Sequence, residues 1–271
     1  MSATTMSPPL SPGTSERVPL RSMLRQAGAI ARRYLLQIKG DPEQLMDVVL
    51  MPIIFLVMFV YIFGGAISGS TDTYLQFITP AVLVQTAMMA GSTTGVGINS
   101  DISTGVMDRF RSLPIARSSV LTGRLLADMV RLLLCAAITL GFAALLGFRI
   151  HTDPLSVLAA VALVMGFGFA LGWLFLIVGI RGRSTQQVQG LSMMVVMPLQ
   201  FGSNMFAAPE TMPDWLRAFV KVNPMSHVTS TCRGLLDGGP VLAHLWPALA
   251  WIAGITAVAA PVAISLYRKR I

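Results

Sequence analysis

"LSVLAAVALVMGFGFALGWLFLIVGI", residues 155–180, runs from end to end without one charged side chain. A helix of roughly 20 apolar residues crosses the hydrocarbon core of a bilayer, because each backbone amide is then satisfied inside the segment. No soluble helix needs so long an uncharged stretch. The whole chain agrees: its 271 residues are 54% apolar and 12% charged, whereas soluble domains carry about 25% charged residues. The composition excludes an ordinary soluble domain. It implies an all-α membrane protein.

Outward from that stretch, five more segments meet the same length and hydropathy. They are VVLMPIIFLVMFVYIFGGAI (48–67), FITPAVLVQTAMMAGSTTGVGI (77–98), LLADMVRLLLCAAITLGFAALLG (125–147), VQGLSMMVVMPLQFGSNMFA (188–207) and HLWPALAWIAGITAVAAPVAISL (244–266). The 188–207 segment is the most polar of the six. The connections carry the charge unevenly. Fifteen of the 20 Arg and Lys residues lie in the N-terminal segment, in the loops after the second and fourth spans, and in the tail Arg268-Lys269-Arg270. Arg149, Arg217, Lys221 and Arg233 lie on the other side, and Arg131 lies within a span. The positive-inside rule then places both termini in the cytoplasm.

Two stretches are expected to lie on the membrane. Between Leu20 and Ile38 the apolar residues crowd one helical face and Arg21, Arg25, Arg32 and Arg33 the other. That is the pattern of an interfacial amphipathic helix over residues 17–40, either an anchor or a docking surface. Residues 209–240 divide at Asn223-Pro224 into two short helices. They read as re-entrant half-helices forming a lid over the outer leaflet. Residues 1–16, rich in Ser, Thr and Pro, read as a disordered tail, and residues 41–271 as one six-span domain.

Several chemistries are missing. A P-loop needs Gly-Lys-Ser/Thr, and the three lysines are followed by Gly40, Val222 and Arg270. His151, His227 and His244 have no second ligand at helical spacing, and Ser192 has no patterned base, so neither a metal centre nor an active site is expected. The polar residues inside the spans say more. Arg124, Asp128 and Arg131 fall at i, i+4 and i+7, so they share one helical face. They read either as a self-neutralised intramembrane charge cluster or as a latch toward a partner subunit. Gln85, Ser92 and Asn99 repeat at intervals of seven, and Gln189, Ser192, Gln200 and Ser203 hold one side of the fifth span. Such stripes either glue helices together or wall a substrate path.

The loop after the second span carries four arginines in "DRFRSLPIARSSVLTGR" (108–124). Ser103 is expected to cap a short helix to Leu113, with Val106, Phe110 and Leu113 as an apolar ridge and Pro114 as its stop. Together with its flanks, "GVMDRFRSLPIARSSVLTGRLLAD" (105–128) resembles the signature of ABC-2 type permeases in their daunorubicin/doxorubicin-resistance branch. "YIFGGAISGSTDTYLQFITPAVLVQTA" (61–87) and "MPDWLRAFVKVNPMSHVTSTCRGLLDGGP" (212–240) are similar to the same branch. The resemblance implies a permease that dimerises with a second copy of itself and pairs with two copies of a separate ATPase. ATP and Mg would be bound there and no cofactor in this chain. It also implies that Met107, Asp108, Arg109, Phe110, Arg111, Leu113 and Pro114 touch that ATPase. The expected cargo is a lipophilic, drug-like molecule, with membrane lipids as further partners and no nucleic acid. Export of a lipid or glycan precursor, and a non-transporting scaffold or immunity protein, are the alternatives.

Overall fold

The structure, a computed structural model, describes residues 42–106 and 117–270, together with Gly28 and Arg32, which are both helical and exposed. The tail 1–16, the rest of the amphipathic segment 17–40, and Met107 to Pro114 lie outside the described residues. The described residues are mostly helical, with no strand among them. Helix α1 (Pro42–Met58) passes through a π turn (Phe59–Phe63) into the short α2 (Gly64–Ser68). Then come α3 (Thr71–Ser103), α4 (Arg117–Leu145), α5 (Pro154–Arg181), α6 (Thr185–Phe201), α7 (Asp214–Val222), α8 (Pro224–Asp237) and α9 (Leu242–Arg270).

Five of these stretches are long and apolar enough to cross a membrane: 50–68, α3, 120–145, α5 and α9. Their outward faces carry large apolar side chains, among them Ile54, Tyr61, Val130, Leu133, Leu158 and Val258. A soluble surface does not tolerate apolar patches of that extent. In a bilayer they are the lipid contact.

The helices begin where side chains can serve orphan amides. Ser70 Oγ accepts from Thr73 N–H at the start of α3 (3.1 Å), after Gly69 turns the chain with φ +70°. Asp153 caps α5 through Ser156, with Pro154 in the first turn, and the Ser156 hydroxyl holds the Asp153 carboxyl below the usual carboxylate range. Ser184 caps α6, and Gln187 of the same turn accepts from Arg183 N–H at 2.9 Å.

α3 is the axis of the molecule, with nineteen of its residues buried, and it packs most extensively on α5. The two backbones meet at glycines. A Cβ on Gly95 would stand 2.6 Å from the Phe175 carbonyl oxygen, and one on Gly179 would stand 2.2 Å from that of Gly95. Small residues allow this approach, which membrane helices need because burying apolar side chains gains little against lipid. α9 flanks α5 on another side, and α6 and α8 rest on α3.

The ends of the spans differ from those drawn by hydropathy. α3 is 33 residues long and reaches Ser103, so the second span does not stop at 98. Ser103 therefore caps no new helix: its hydroxyl donates to the Ser100 carbonyl, Thr104 closes α3, and Gly105 turns with φ +71° before Val106. α6 is helical only over 185–201, and 202–207 of the 188–207 segment leaves the helix. Gly202 N–H closes the last turn on the Pro198 carbonyl at 2.9 Å, and the chain then departs from the helix.

Candidate functional site

α3 and α4 run antiparallel on either side of the 104–116 connection, and their facing sides are polar. Thr93, Thr94, Gly97 and Asp101 line one side of α3; Arg124, Asp128 and Arg131 line α4. Asp128 is 5% exposed and accepts from the Thr94 hydroxyl at 2.6 Å. Its carboxylate lies 3.9 Å from Arg124 Nε and 3.5 Å from Arg131 Nη2. Arg124 also donates from Nη1 to Asp101, and Arg131 donates to the Thr93 hydroxyl. Gly97 leaves room for the guanidinium, since a Cβ there would overlap Arg124 Nη2. The i, i+4, i+7 triad of two arginines and one aspartate is thus joined by a second aspartate, Asp101 of α3. Among the described residues these four side chains carry no net formal charge. Sequence reasoning missed Asp101 because it ended the second span at 98, five residues short of the helix end; the signal was an acid two turns from Thr94 on the same face.

The polar stripes face inward. Gln85, Ser92 and Asn99 on α3 are buried, as are Ser192 and Gln200 on α6 and Ser203 just beyond it. Gln189 is exposed; the buried side of α6 runs through Val188, Ser192, Val196 and Gln200 instead, so Gln189 leaves the stripe. Asn99 Nδ2 donates to the carbonyls of Gly179 (2.9 Å) and Gly182 (2.8 Å), joining α3 to the end of α5. That is packing glue. Gln85 differs: among the described residues neither atom of its amide has a hydrogen-bond partner, and neither has the Ser192 hydroxyl.

At the opposite end the chain leaves α6 and crosses residues 202–208 as irregular backbone, which is tolerable within a membrane only where protein covers it. Asn223 Nδ2 donates to the Leu199 (2.8 Å) and Gly202 (2.6 Å) carbonyls, while its Oδ1 accepts from Met225 N–H and caps α8. Arg233 on α8 donates to Asn204 O (2.9 Å), Met205 O (3.0 Å) and Phe77 O (3.0 Å). Its guanidinium lies 3.7 Å from the Phe77 ring centroid, and Tyr74 donates to Phe206 O at 3.2 Å. Beside this cap, a cavity of about 590 Å³ is lined by Asp72, Gln76, Arg149, His151 and Asp237 among others. His151 meets Asp237 at 2.8 Å, and the Gln76 amide bridges the backbone of Arg149. Among the described residues no group of His, Cys, Asp or Glu could hold a metal ion.

An all-helical bundle with lipid-facing apolar flanks, a neutralised charge network and a capped irregular segment defines an integral, multi-pass membrane protein. The ABC-2 type transporter family matches residues 25–236, and the chain belongs to that family. It is 43% identical to the "Daunorubicin resistance ABC transporter permease protein DrrB1" of Streptomyces coeruleorubidus, covering 88% of this chain and 84% of that protein. It is 27% identical to the "Probable doxorubicin resistance ABC transporter permease protein DrrC" of Mycobacterium tuberculosis, covering 88% and 86%. With the "Putative transport permease ycf38" of Cyanophora paradoxa the identity is 25%, over 78% of this chain and 74% of that protein. The chain is therefore a membrane subunit of a transporter, seated in the cytoplasmic membrane.

Proposed function

We propose that this chain is the permease subunit of an ATP-driven exporter that moves a lipophilic, drug-like molecule out of the cell. The observation that carries this reading is the 43% identity to a daunorubicin resistance permease over 88% of the chain. The subunit dimerises, has six spans with both termini in the cytoplasm, and takes its force from two copies of a separate ATPase that bind ATP and Mg. α6 is the remaining span, completed by residues 202–208 under the cover of Asn223 and Arg233. The ATPase docks on Met107, Asp108, Arg109, Phe110, Arg111, Leu113 and Pro114.

The Asp101–Arg124–Asp128–Arg131 network supports a lever. It fastens the two helices that flank the docking loop, so that a push on the loop moves them together. Ser92 and Ser203, with Asn99 as a packing contact, flank the path. Its recognition groups are Gln85, Ser192 and Gln200 between α3 and α6, and the unspent amide of Gln85 supports that assignment, because a buried amide without a partner is costly unless a ligand meets it. Inverted vesicles holding the permease and its ATPase test the whole. ATP-dependent uptake of a fluorescent anthracycline is expected from the pair and from neither alone. A scaffold or immunity protein would give none.

A further inference from the structure

Two basic stretches far apart in sequence converge at the end of the bundle that bears the 104–116 connection. Arg181 ends α5, Arg183 follows two residues later, and α9 closes with Arg268, Lys269 and Arg270. Arg270 Nη1 donates to the Gly182 carbonyl at 3.2 Å across 88 residues of chain. The same carbonyl accepts from Asn99, so the ends of α3, α5 and α9 are pinned together. All five cations are exposed. Among the described residues Arg181, Arg183, Lys269 and Arg270 form no ion pair with a carboxylate, in contrast to the neutral network between α3 and α4.

Helix dipoles favour cations at C-termini, which suits Arg181 and the α9 tail. They do not account for Arg183, which stands just before the N-terminus of α6, the end where a cation is disfavoured. The surface above the cations is equally informative. Val258, Val262, Ser265 and Lys269 follow at i, i+4, i+7 and i+11 on α9 and are all exposed. Lys269 thus heads an apolar stripe running into the lipid.

We propose that this junction binds the headgroup of an anionic phospholipid of the cytoplasmic leaflet, with its acyl chains along Val262 and Val258. Guanidinium groups match a phosphodiester bidentately, and clustered cations at the cytoplasmic surface attract anionic lipid. The inference rests on the proposed orientation, which puts α9's end in the cytoplasm.

The test uses the full permease–ATPase complex in nanodiscs of phosphatidylglycerol and phosphatidylcholine. Native mass spectrometry counts retained lipid, and in whole cells a C-terminal tag reports the side of the membrane. One variant carries Arg181→Gln, Arg183→Gln, Arg268→Gln, Lys269→Gln and Arg270→Gln; a second replaces the four arginines by lysine. Wild type is expected to retain phosphatidylglycerol preferentially, the glutamine variant to lose about fivefold or more of that preference, and the lysine variant to recover part of it. Equal retention by wild type and the glutamine variant, with the ATPase still bound, would overturn the lipid site and leave the exporter reading intact. Loss of the ATPase at unchanged lipid retention would also overturn it, giving the patch to the protein partner. A wild-type tag outside the cell would defeat the orientation itself, and this site with it.

Discussion

At the scale of single residues, Asp128 has the most to answer for. It faces two arginines and takes the Thr94 hydroxyl, all in a nearly dry contact. Asp128→Asn leaves Arg131 without a carboxylate, and breaking a buried pair on one side costs about 3 kcal/mol or more. Thermal unfolding of the purified permease should show a clearly lowered midpoint. Asp101→Asn should cost less, because the Asp101 side chain is 16% exposed against 7% for Asp128. Equal losses would mean that Arg124, not Asp128, holds the contact. Arg233 poses a different question, since its three acceptors are backbone carbonyls on two segments. Each carbonyl stranded by Arg233→Met costs about 1–3 kcal/mol. Lysine, a compact point donor, cannot span the same set. Hydrogen exchange in 202–208 is therefore expected to quicken in both variants and more in the methionine one. The triad on α4 was legible from spacing alone. The reach of Asn223 and Arg233 was not, because their acceptors are carbonyls freed only by the end of α6.

At the scale of helices, hydropathy located the segments well and their ends poorly, for physical reasons visible in two of them. Ser100 and Asp101 lower the hydropathy of α3, yet the helix continues because its polar end pairs with Arg124 instead of meeting lipid. Met205 and Phe206 raise the hydropathy after α6, yet the helix stops at Phe201, since the polar caps from α8 satisfy an irregular turn there. Apolar content reports burial, not backbone conformation. The α3–α5 contact gives a paired prediction at this scale. Gly95→Ala sets a methyl 2.6 Å from the Phe175 carbonyl oxygen, backbone against backbone, so the helices must part. Gly141 lies inside α4 with nothing within 4 Å of a would-be Cβ, and Gly141→Ala should stabilise by about 0.5–1 kcal/mol through helix propensity alone. Thermal midpoints moving in opposite directions would bear this out. A Gly95→Ala protein as stable as wild type would remove close backbone packing as the reason for that glycine.

At the scale of the whole molecule, a transporter of this kind must carry a push from outside the membrane to a path within it. The elements stand in a suitable order. A connection rich in arginine joins α3 to α4, the two are bridged by four charged side chains, and α3 forms the centre on which α5, α6 and α8 rest. In the proposed reading, a force received at residues 107–114 enters α3 near Asp101 and runs along that helix toward Ser92 and Gln85. If Phe110 and Arg111 receive it, Phe110→Ala or Arg111→Ala should weaken ATPase binding by about 2 kcal/mol, roughly 30-fold in Kd, as loss of a central interface anchor does. The α3–α4 network lies outside that interface, so the thermal midpoint of the isolated permease should not move. Asp128→Asn should give the converse result, a less stable permease that still retains its ATPase but exports less per ATP hydrolysed. Co-purification, thermal unfolding and the ratio of efflux to hydrolysis separate the two steps. Undiminished ATPase on both loop variants would place the docking surface elsewhere, and unaltered coupling in Asp128→Asn would reduce the network to packing.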